Sequence, residues 1–308
     1  MSKFFNETSD MQRTQSLAAA PKSDIQQLVG SLKQDMESNS SAPHAFTPEL
    51  NHLLKPLEES HGVAFQLAAG RLEKCAGIRL PRSEEKSFLV TQYKPDMQAA
   101  VESYRTLRTR LVKQQTRNGT RSLVVSSAMP SEGKTLTTFN LALCYASIQN
   151  WPVLAVDADL RTRDLSRLLG DPKSPGLAGI LGGACDCASA VLRTDVPSLY
   201  VLPAGEAERA PSELFSGANW KEFVGWASET FRLVIVDSPP ALDLSDFELI
   251  LAPCESAMVV VRAGTTVRAS FTKLLAQIDP KKLAGVVFNA AEETPNTGYN
   301  YRYSGGAK

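Results

Sequence analysis

Residues 128–135 read Ala-Met-Pro-Ser-Glu-Gly-Lys-Thr, between the apolar run Leu123-Val124-Val125 and the stretch Leu136-Thr-Thr-Phe-Asn-Leu-Ala-Leu143. A strand, a tight turn and a helix that opens on Gly133-Lys134-Thr135 together form a loop that cradles phosphates. Backbone N–H groups converge there on the N-terminus of a helix, whose partial positive charge favours an anion. The candidate nucleotide-binding segment is Ala128, Met129, Pro130, Ser131, Glu132, Gly133, Lys134, Thr135 and Leu136. Lys134 is placed to reach the β- and γ-phosphates and the Thr135 hydroxyl to sit on Mg²⁺. Ala128 stands where the G-x-x-x-x-G-K-[S/T] pattern has its first glycine.

Two further stretches end apolar runs in carboxylates. Trp151-Pro-Val-Leu-Ala-Val-Asp157 continues into Ala158-Asp159-Leu-Arg161, and Phe231-Arg-Leu-Val-Ile-Val-Asp237 continues into Ser-Pro-Pro240. Short, bounded apolar runs of this kind are expected of buried parallel strands. In an open α/β sheet ligands bind outside the carboxyl ends of the strands, which puts Asp157, Asp159 and Asp237 near the γ-phosphate. An acid at the Asp237 position holds the Mg²⁺ shell, directly or through water.

These residues need a scaffold, and the order of elements supplies one. Strands are expected at Leu199–Gly205, Ala257–Val261 and Ala284–Phe288, with helices over 211–215, 219–230 and 268–278. Residues 164–197 read as short helices and loops. A longer helix is expected from Met97 to about Lys113, with Asp96 as N-cap and Val101, Tyr104, Leu107 and Leu111 as its apolar stripe. Glu102, Arg105 and Arg108 form a slanting row along its side, which by itself reads as a solvated face with a local ion pair. The alternation predicts an α/β fold, a mainly parallel P-loop sheet covered by helices.

The expected organisation is an N-terminal segment over 1–90, partly disordered and partly helical, a P-loop domain over 91–291, and a flexible tail over 292–308. The tail carries Tyr299, Tyr301 and Tyr303 on alternate positions. Thirty-three lysines and arginines balance 33 aspartates and glutamates, so bulk charge gives no argument for a nucleic-acid or anionic-membrane partner, and no nucleic-acid partner is expected. The five cysteines lack metal-ligand spacing and suit a reducing compartment. No apolar run approaches the roughly 20 residues that span a bilayer, and the first residues lack a signal-peptide core. A cytoplasmic protein is expected, held at the membrane by something else if it works there.

Taken in order, these motifs resemble those of the bacterial tyrosine kinases of capsular and exopolysaccharide assembly, over about residues 96–303. Ala128–Thr135 resembles their Walker A, Leu154–Arg161 their Walker A′ (apolar residues, then D-x-D-x-R, with Ala155 a mild departure) and Val234–Pro240 their Walker B. Glu102, Arg105 and Arg108 match the E-x-x-R-x-x-R helix through which members assemble into rings. The terminal tyrosines resemble the family's C-terminal cluster, although only three are interleaved here, and Arg161 is followed by Thr-Arg where many members have a nearby proline.

The resemblance implies an ATP- and Mg²⁺-dependent autokinase that phosphorylates Tyr299, Tyr301 and Tyr303 in a neighbouring subunit of the ring. Lys134, Asp157 and Asp159 would be catalytic, with Thr135, Asp157 and Asp237 around the metal. It also implies a separate membrane chain-length regulator as activator, recruitment to the inner face of the plasma membrane, and further tyrosine-phosphorylated polysaccharide enzymes as substrates. The competing class is a positioning ATPase, a nucleotide switch without phosphotransfer. Those proteins carry an additional lysine early in the loop, where this chain has Met129. A third is an idle ATP-binding scaffold, against which the intact phosphate, metal and acid groups argue. Asn289, at the end of the last predicted strand, is a candidate contact to the nucleobase.

Overall fold

The structure is a computed structural model that describes residues 72, 75–81, 98–242 and 245–291. The chain divides into two units, Met1–Asn51 and His52–Lys308, and every described residue belongs to the second. The N-terminal readings before residue 72, the Asp96 cap and the tail tyrosines lie outside the described residues.

Eight strands form a single sheet in the order β1-β4-β5-β3-β6-β2-β7-β8. They are β1 (Ala76–Gly77), β2 (Ser122–Ser127), β3 (Val153–Asp157), β4 (Leu192–Arg193), β5 (Leu199–Leu202), β6 (Leu233–Asp237), β7 (Ser256–Arg262) and β8 (Leu283–Asn289). All pairings are parallel except that of β4 with β5. Every residue of β2, β3 and β6 is buried, and only Arg262 of β7 is exposed. This is why their sequences are continuous apolar runs without alternation.

Helices cover the sheet: α1 (Gln98–Asn118), α2 (Lys134–Ala146), the short α3 (Asp164–Leu168), α4 (Gly176–Leu181) and α5 (Cys187–Ala190), then α6 (Pro211–Ser216), α7 (Ala218–Thr230), α8 (Asp246–Leu251) and α9 (Arg268–Gln277). Trp220 and Phe223 of α7 stack at 5.7 Å between ring centroids, and the Trp220 indole N–H donates to the Ile250 carbonyl at 3.1 Å. Aromatic bulk with one satisfied polar atom thus ties α7 to α8. Among the described residues no helix is long and apolar enough to cross a membrane.

The expected strands and long helices are present, but β5 stops at Leu202 rather than Gly205, α8 has no counterpart among the expected helices, and three further differences stand out. Helix α1 runs to Asn118 rather than Lys113. Its apolar stripe fades after Val112, but Gln114–Asn118 can continue a helix, and the stop is at Gly119, whose φ of 69° lets its amide close back on the Gln115 carbonyl at 2.8 Å. Strand β4 lies within the stretch read as short helices and loops, and β1 within the stretch read as an N-terminal segment. Each is two residues long, too short for an alternation signal.

Beyond β5 the chain makes a close crossing. The amides of Leu177 and Ala178, opening α4, donate to the carbonyls of Pro203 and Ala204, both at 2.8 Å. A Cβ on Gly205, at φ 73°, would lie 2.0 Å from the Pro175 carbonyl oxygen. Gly225, inside α7, has open space around it. The matched substitutions should therefore differ in sign. Gly205→Ala should destabilise the protein by about 2 kcal/mol or more, whereas Gly225→Ala should stabilise it by roughly 0.5–1 kcal/mol. Denaturant unfolding of both variants checks this, and a stable Gly205→Ala protein would contradict the described crossing.

Candidate nucleotide and phosphoryl-transfer site

Three neighbouring strands, β3, β6 and β2, deliver the site. In the β3–β6 ladder Asp157 lies opposite Asp237, and in the β6–β2 ladder Asp237 lies opposite Val125, three residues before the phosphate loop begins at Ala128. Parallel register alone therefore brings the two acids and the loop to one edge of the sheet.

The loop enters α2 through Gly133, at φ 94°, with no side chain capping the helix. The first-turn amides of α2 have no intrahelical partners, and none is covered by a cap side chain, so they are available to an anion. Lys134 is 5% exposed, and its Nζ lies 3.3 Å from Asp159 Oδ2 and 3.3 Å from Thr135 Oγ1. Burial pulls the ammonium pKa down, but the carboxylates of Asp237, Asp159 and Asp164 outweigh that and hold it above the usual lysine value. Lys134 is thus a charged group in a buried place.

The acids are held differently. Asp159 accepts from Lys134 through Oδ2 and from the Thr162 amide through Oδ1 at 3.1 Å. Asp157 commits Oδ2 to Ser166, taking its amide at 2.7 Å and its hydroxyl at 2.6 Å, while Oδ1 is buried without a donor among the described residues. Burial, then the neighbouring Asp237, push the Asp157 carboxyl up to about 7, against the Ser166 hydrogen bonds. Burial likewise lifts Asp237 to about 6, opposed by Lys134 and the Thr135 hydroxyl. Thr138 Oγ1 lies 3.5 Å from Asp237 Oδ1, and Oδ2 has no donor among the described residues.

Lys134, Thr135, Asp157, Asp159 and Asp237 thus gather in one place. Two contributors escaped the sequence reading. Thr138 sits one helical turn beyond Thr135, a spacing that could have flagged it. Ser166 has no such signal, because only the packing of α3 against β3 brings it to Asp157; its Oγ also accepts the Ala204 amide at 2.9 Å.

The far side of the loop is also tied down. Glu132 accepts from the Met129 amide at 3.0 Å and from the Thr266 hydroxyl. Arg262 Nη1 donates to the Ser131 carbonyl at 3.2 Å. Asn289, proposed from sequence to meet a base, donates its amide nitrogen to the Glu132 carbonyl at 3.0 Å. Arg161, of the D-x-D-x-R run, pairs through Nε with the buried Asp246 at 3.1 Å.

On α1, Glu102 and Arg105 form an exposed pair at 2.5 Å. Arg108 turns onto its own chain instead. Its Nη1 donates to the Cys144 carbonyl at 2.8 Å and to Ser147 Oγ at 2.9 Å, at the C-terminal end of α2. A guanidinium there satisfies a helix-end carbonyl and complements the negative pole of the dipole.

Among the described residues no group of three or more His, Cys, Asp or Glu could hold a metal ion. Mg²⁺ is ordinarily bound through one or two carboxylates and the phosphates of its nucleotide rather than by a protein cage. The donorless oxygens of Asp157 and Asp237 and the adjoining Thr135 hydroxyl fit such an ion.

A mainly parallel, helix-covered sheet with a Gly-Lys-Thr loop and acids ending the two strands beside it defines a P-loop nucleotide-binding domain. No family model matches the chain. Tyrosine-protein kinase wzc of Salmonella typhimurium is 27% identical over 243 residues, 75% of this chain and 33% of its own length. Tyrosine-protein kinase YwqD of Bacillus subtilis is 29% identical over 202 residues, 65% of this chain and 85% of its own length. The solved kinase domain of the Escherichia coli tyrosine kinase ETK is 26% identical with a TM-score of 0.61, covering 73% of this chain and 92% of that domain. The chain is thus similar to bacterial tyrosine-protein kinases in sequence and to a solved kinase domain in fold. It spans only about a third of the length of wzc.

The electrostatics carry a sign that can be checked. A carboxyl raised to about 7 in the folded state contributes stability below its unfolded value near 3.8, and that contribution is lost as pH rises through 7. In the absence of nucleotide and metal, Asp157→Asn should raise the thermal midpoint at pH 8 and raise it less at pH 5. A lower midpoint than wild type at pH 8 would show that the ionised acid is not under strain.

Proposed function

We propose that the chain is an ATP-dependent protein-tyrosine kinase whose first substrates are Tyr299, Tyr301 and Tyr303 of a neighbouring copy. The supporting observation is the register of β3 on β6, which sets Asp157 beside Asp237 at the strand ends that border the Lys134 loop. Similarity to proteins named as tyrosine-protein kinases supports the reaction type.

In the proposed reaction the phenolic oxygen of tyrosine attacks the γ-phosphorus of ATP. The bond from that phosphorus to the β,γ-bridging oxygen breaks, and ADP leaves with the electron pair. The phenolic proton passes to a carboxylate. Asp157 suits that role, because its pKa lies near neutrality and one of its oxygens is uncommitted, whereas Asp159 is engaged by Lys134 and the Thr162 amide. A tyrosine of pKa near ~10 is protonated at neutral pH, so an acceptor has a purpose. Lys134 and the loop amides would offset the negative charge on the transferring group, which is how most such catalysis works. When bound, Mg²⁺ neutralises and orients the phosphates, held by Thr135 and Asp237 with Asp157 alongside.

The same reading makes Glu102, Arg105 and Arg108 part of a ring contact, with the intrachain role of Arg108 supporting the helix that carries it. Phosphates added to closely spaced tail positions would repel one another and loosen that ring. A separate membrane chain-length regulator would recruit and activate the protein from the cytoplasm during capsule or exopolysaccharide export. Residues 91–291 would be the kinase domain, flanked by the 1–90 segment and the 292–308 tail.

The purified full chain, incubated with ATP and Mg²⁺ together with its activator, should acquire phosphotyrosine. Lys134→Met should reduce the signal at least a hundredfold, and replacing all three tail tyrosines by phenylalanine should remove most of the self-labelling. Equal labelling of Lys134→Met and wild type would end the proposal. Nucleotide binding without any phosphotyrosine would favour a nucleotide switch instead.

A further inference from the structure

We propose that Thr266, Arg262 and Asn289 are positioning residues that clamp the phosphate loop from the side opposite the catalytic acids and thereby set its affinity for nucleotide. The inference rests on reading residues 128–136 as the nucleotide site, but it does not depend on phosphotransfer to tyrosine.

Glu132 is the pivot. A carboxyl group inside a loop built for phosphates opposes binding by like charge unless donors fix it. Glu132 is 1% exposed and has two such donors. Oε2 takes the Met129 amide at 3.0 Å, which closes the front of the loop on itself, and Oε1 takes the Thr266 hydroxyl. Thr266 is itself held in the turn after β7, where its amide donates to the Arg262 carbonyl at 3.0 Å and its Oγ1 accepts the Arg262 amide at 2.8 Å. The hydroxyl therefore links a hydrogen-bonded turn at the end of one strand to the one acid of the loop.

Two further bonds grip the backbone on either side of that acid. Arg262 Nη1 donates to the Ser131 carbonyl at 3.2 Å, and Asn289 Nδ2 to the Glu132 carbonyl at 3.0 Å. These carbonyls lie within the part of the loop with unusual backbone. Ser131 has φ 62° and Gly133 φ 94°, a left-handed conformation that an ordinary residue such as serine adopts at a cost. A Cβ on Gly133 would fall 2.0 Å from Asn289 Nδ2, so the glycine also makes room for the clamp. Arg262 and Asn289 are partners in the β7–β8 ladder. The β7–β8 pair and the turn that follows β7 thus reach three consecutive features of the loop: the Ser131 carbonyl, the Glu132 side chain and the Glu132 carbonyl. Held in this shape before nucleotide arrives, the loop need not be ordered at the moment of binding.

The test is titration of the 308-residue chain with a fluorescent ATP analogue and Mg²⁺. Thr266→Val keeps the shape and removes the hydroxyl, and should raise Kd about tenfold, the effect of losing a hydrogen bond to a charged group. Thr266→Ser retains the hydroxyl and should bind within about twofold of wild type, which a general packing role for the Thr266 methyl would not allow. Asn289→Ala provides an independent arm and should weaken binding in the same direction. Wild-type affinity in both Thr266→Val and Asn289→Ala, or failure of Thr266→Ser to restore it, would overturn the clamp. A wild-type protein that binds the analogue but makes no phosphotyrosine, with Thr266→Val still weakened, would refute the kinase reading and leave the clamp standing.

Discussion

The register between β3 and β6 places Asp157 and Asp237 side by side, both buried, and burial together with the Asp237 carboxylate raises the cost of ionising Asp157. Like charges in a dry interior are tolerated only when something opposes them. Lys134 supplies the opposing charge, and Ser166 and Thr138 supply oriented donors. The arrangement remains incomplete, since one oxygen of each acid lacks a donor among the described residues. Buried orphans of this kind are rare in a settled core and mark a place prepared for a cation or a proton.

The phosphate loop is held between this acid cluster and a second set of contacts on its far side. Strand β2 feeds it, α2 leaves it, and the β7–β8 pair ties down its middle through Arg262, Thr266 and Asn289. The other end of α2 is also engaged, by Arg108 from α1. The helix is thus fixed at both poles, open amides at the phosphate end and a guanidinium at the carbonyl end, each matching the helix dipole. Arg108 belongs to the same row as the exposed Glu102–Arg105 pair, so one helix face combines a structural anchor with surface charges available to a neighbour.

Much of this was legible from the residues alone. The Gly-Lys-Thr loop, the two apolar runs ending in aspartate and the order of helices and strands are local patterns, and local patterns survive in sequence because strand burial and helix entry each demand particular residue types. Other contributors were hidden for an equally physical reason. Ser166 meets Asp157 only because α3 folds back on β3, and Thr266 meets Glu132 across 134 positions of chain. The spacing within E-x-x-R-x-x-R says that its members share a helix side but not that Arg108 bends inward to the Cys144 carbonyl.

What the sequence determined by itself was chemical inventory and class: a phosphate loop, a lysine, a hydroxyl, acids at strand ends, and an alternating α/β order that permits a parallel sheet. Tertiary structure decided which oxygen of each acid stays free, which donors hold the others, and what braces the loop from behind. Those choices depend on strand register and on side chains meeting across long stretches of chain, and no spacing in a linear sequence encodes a contact that exists only after the sheet has closed.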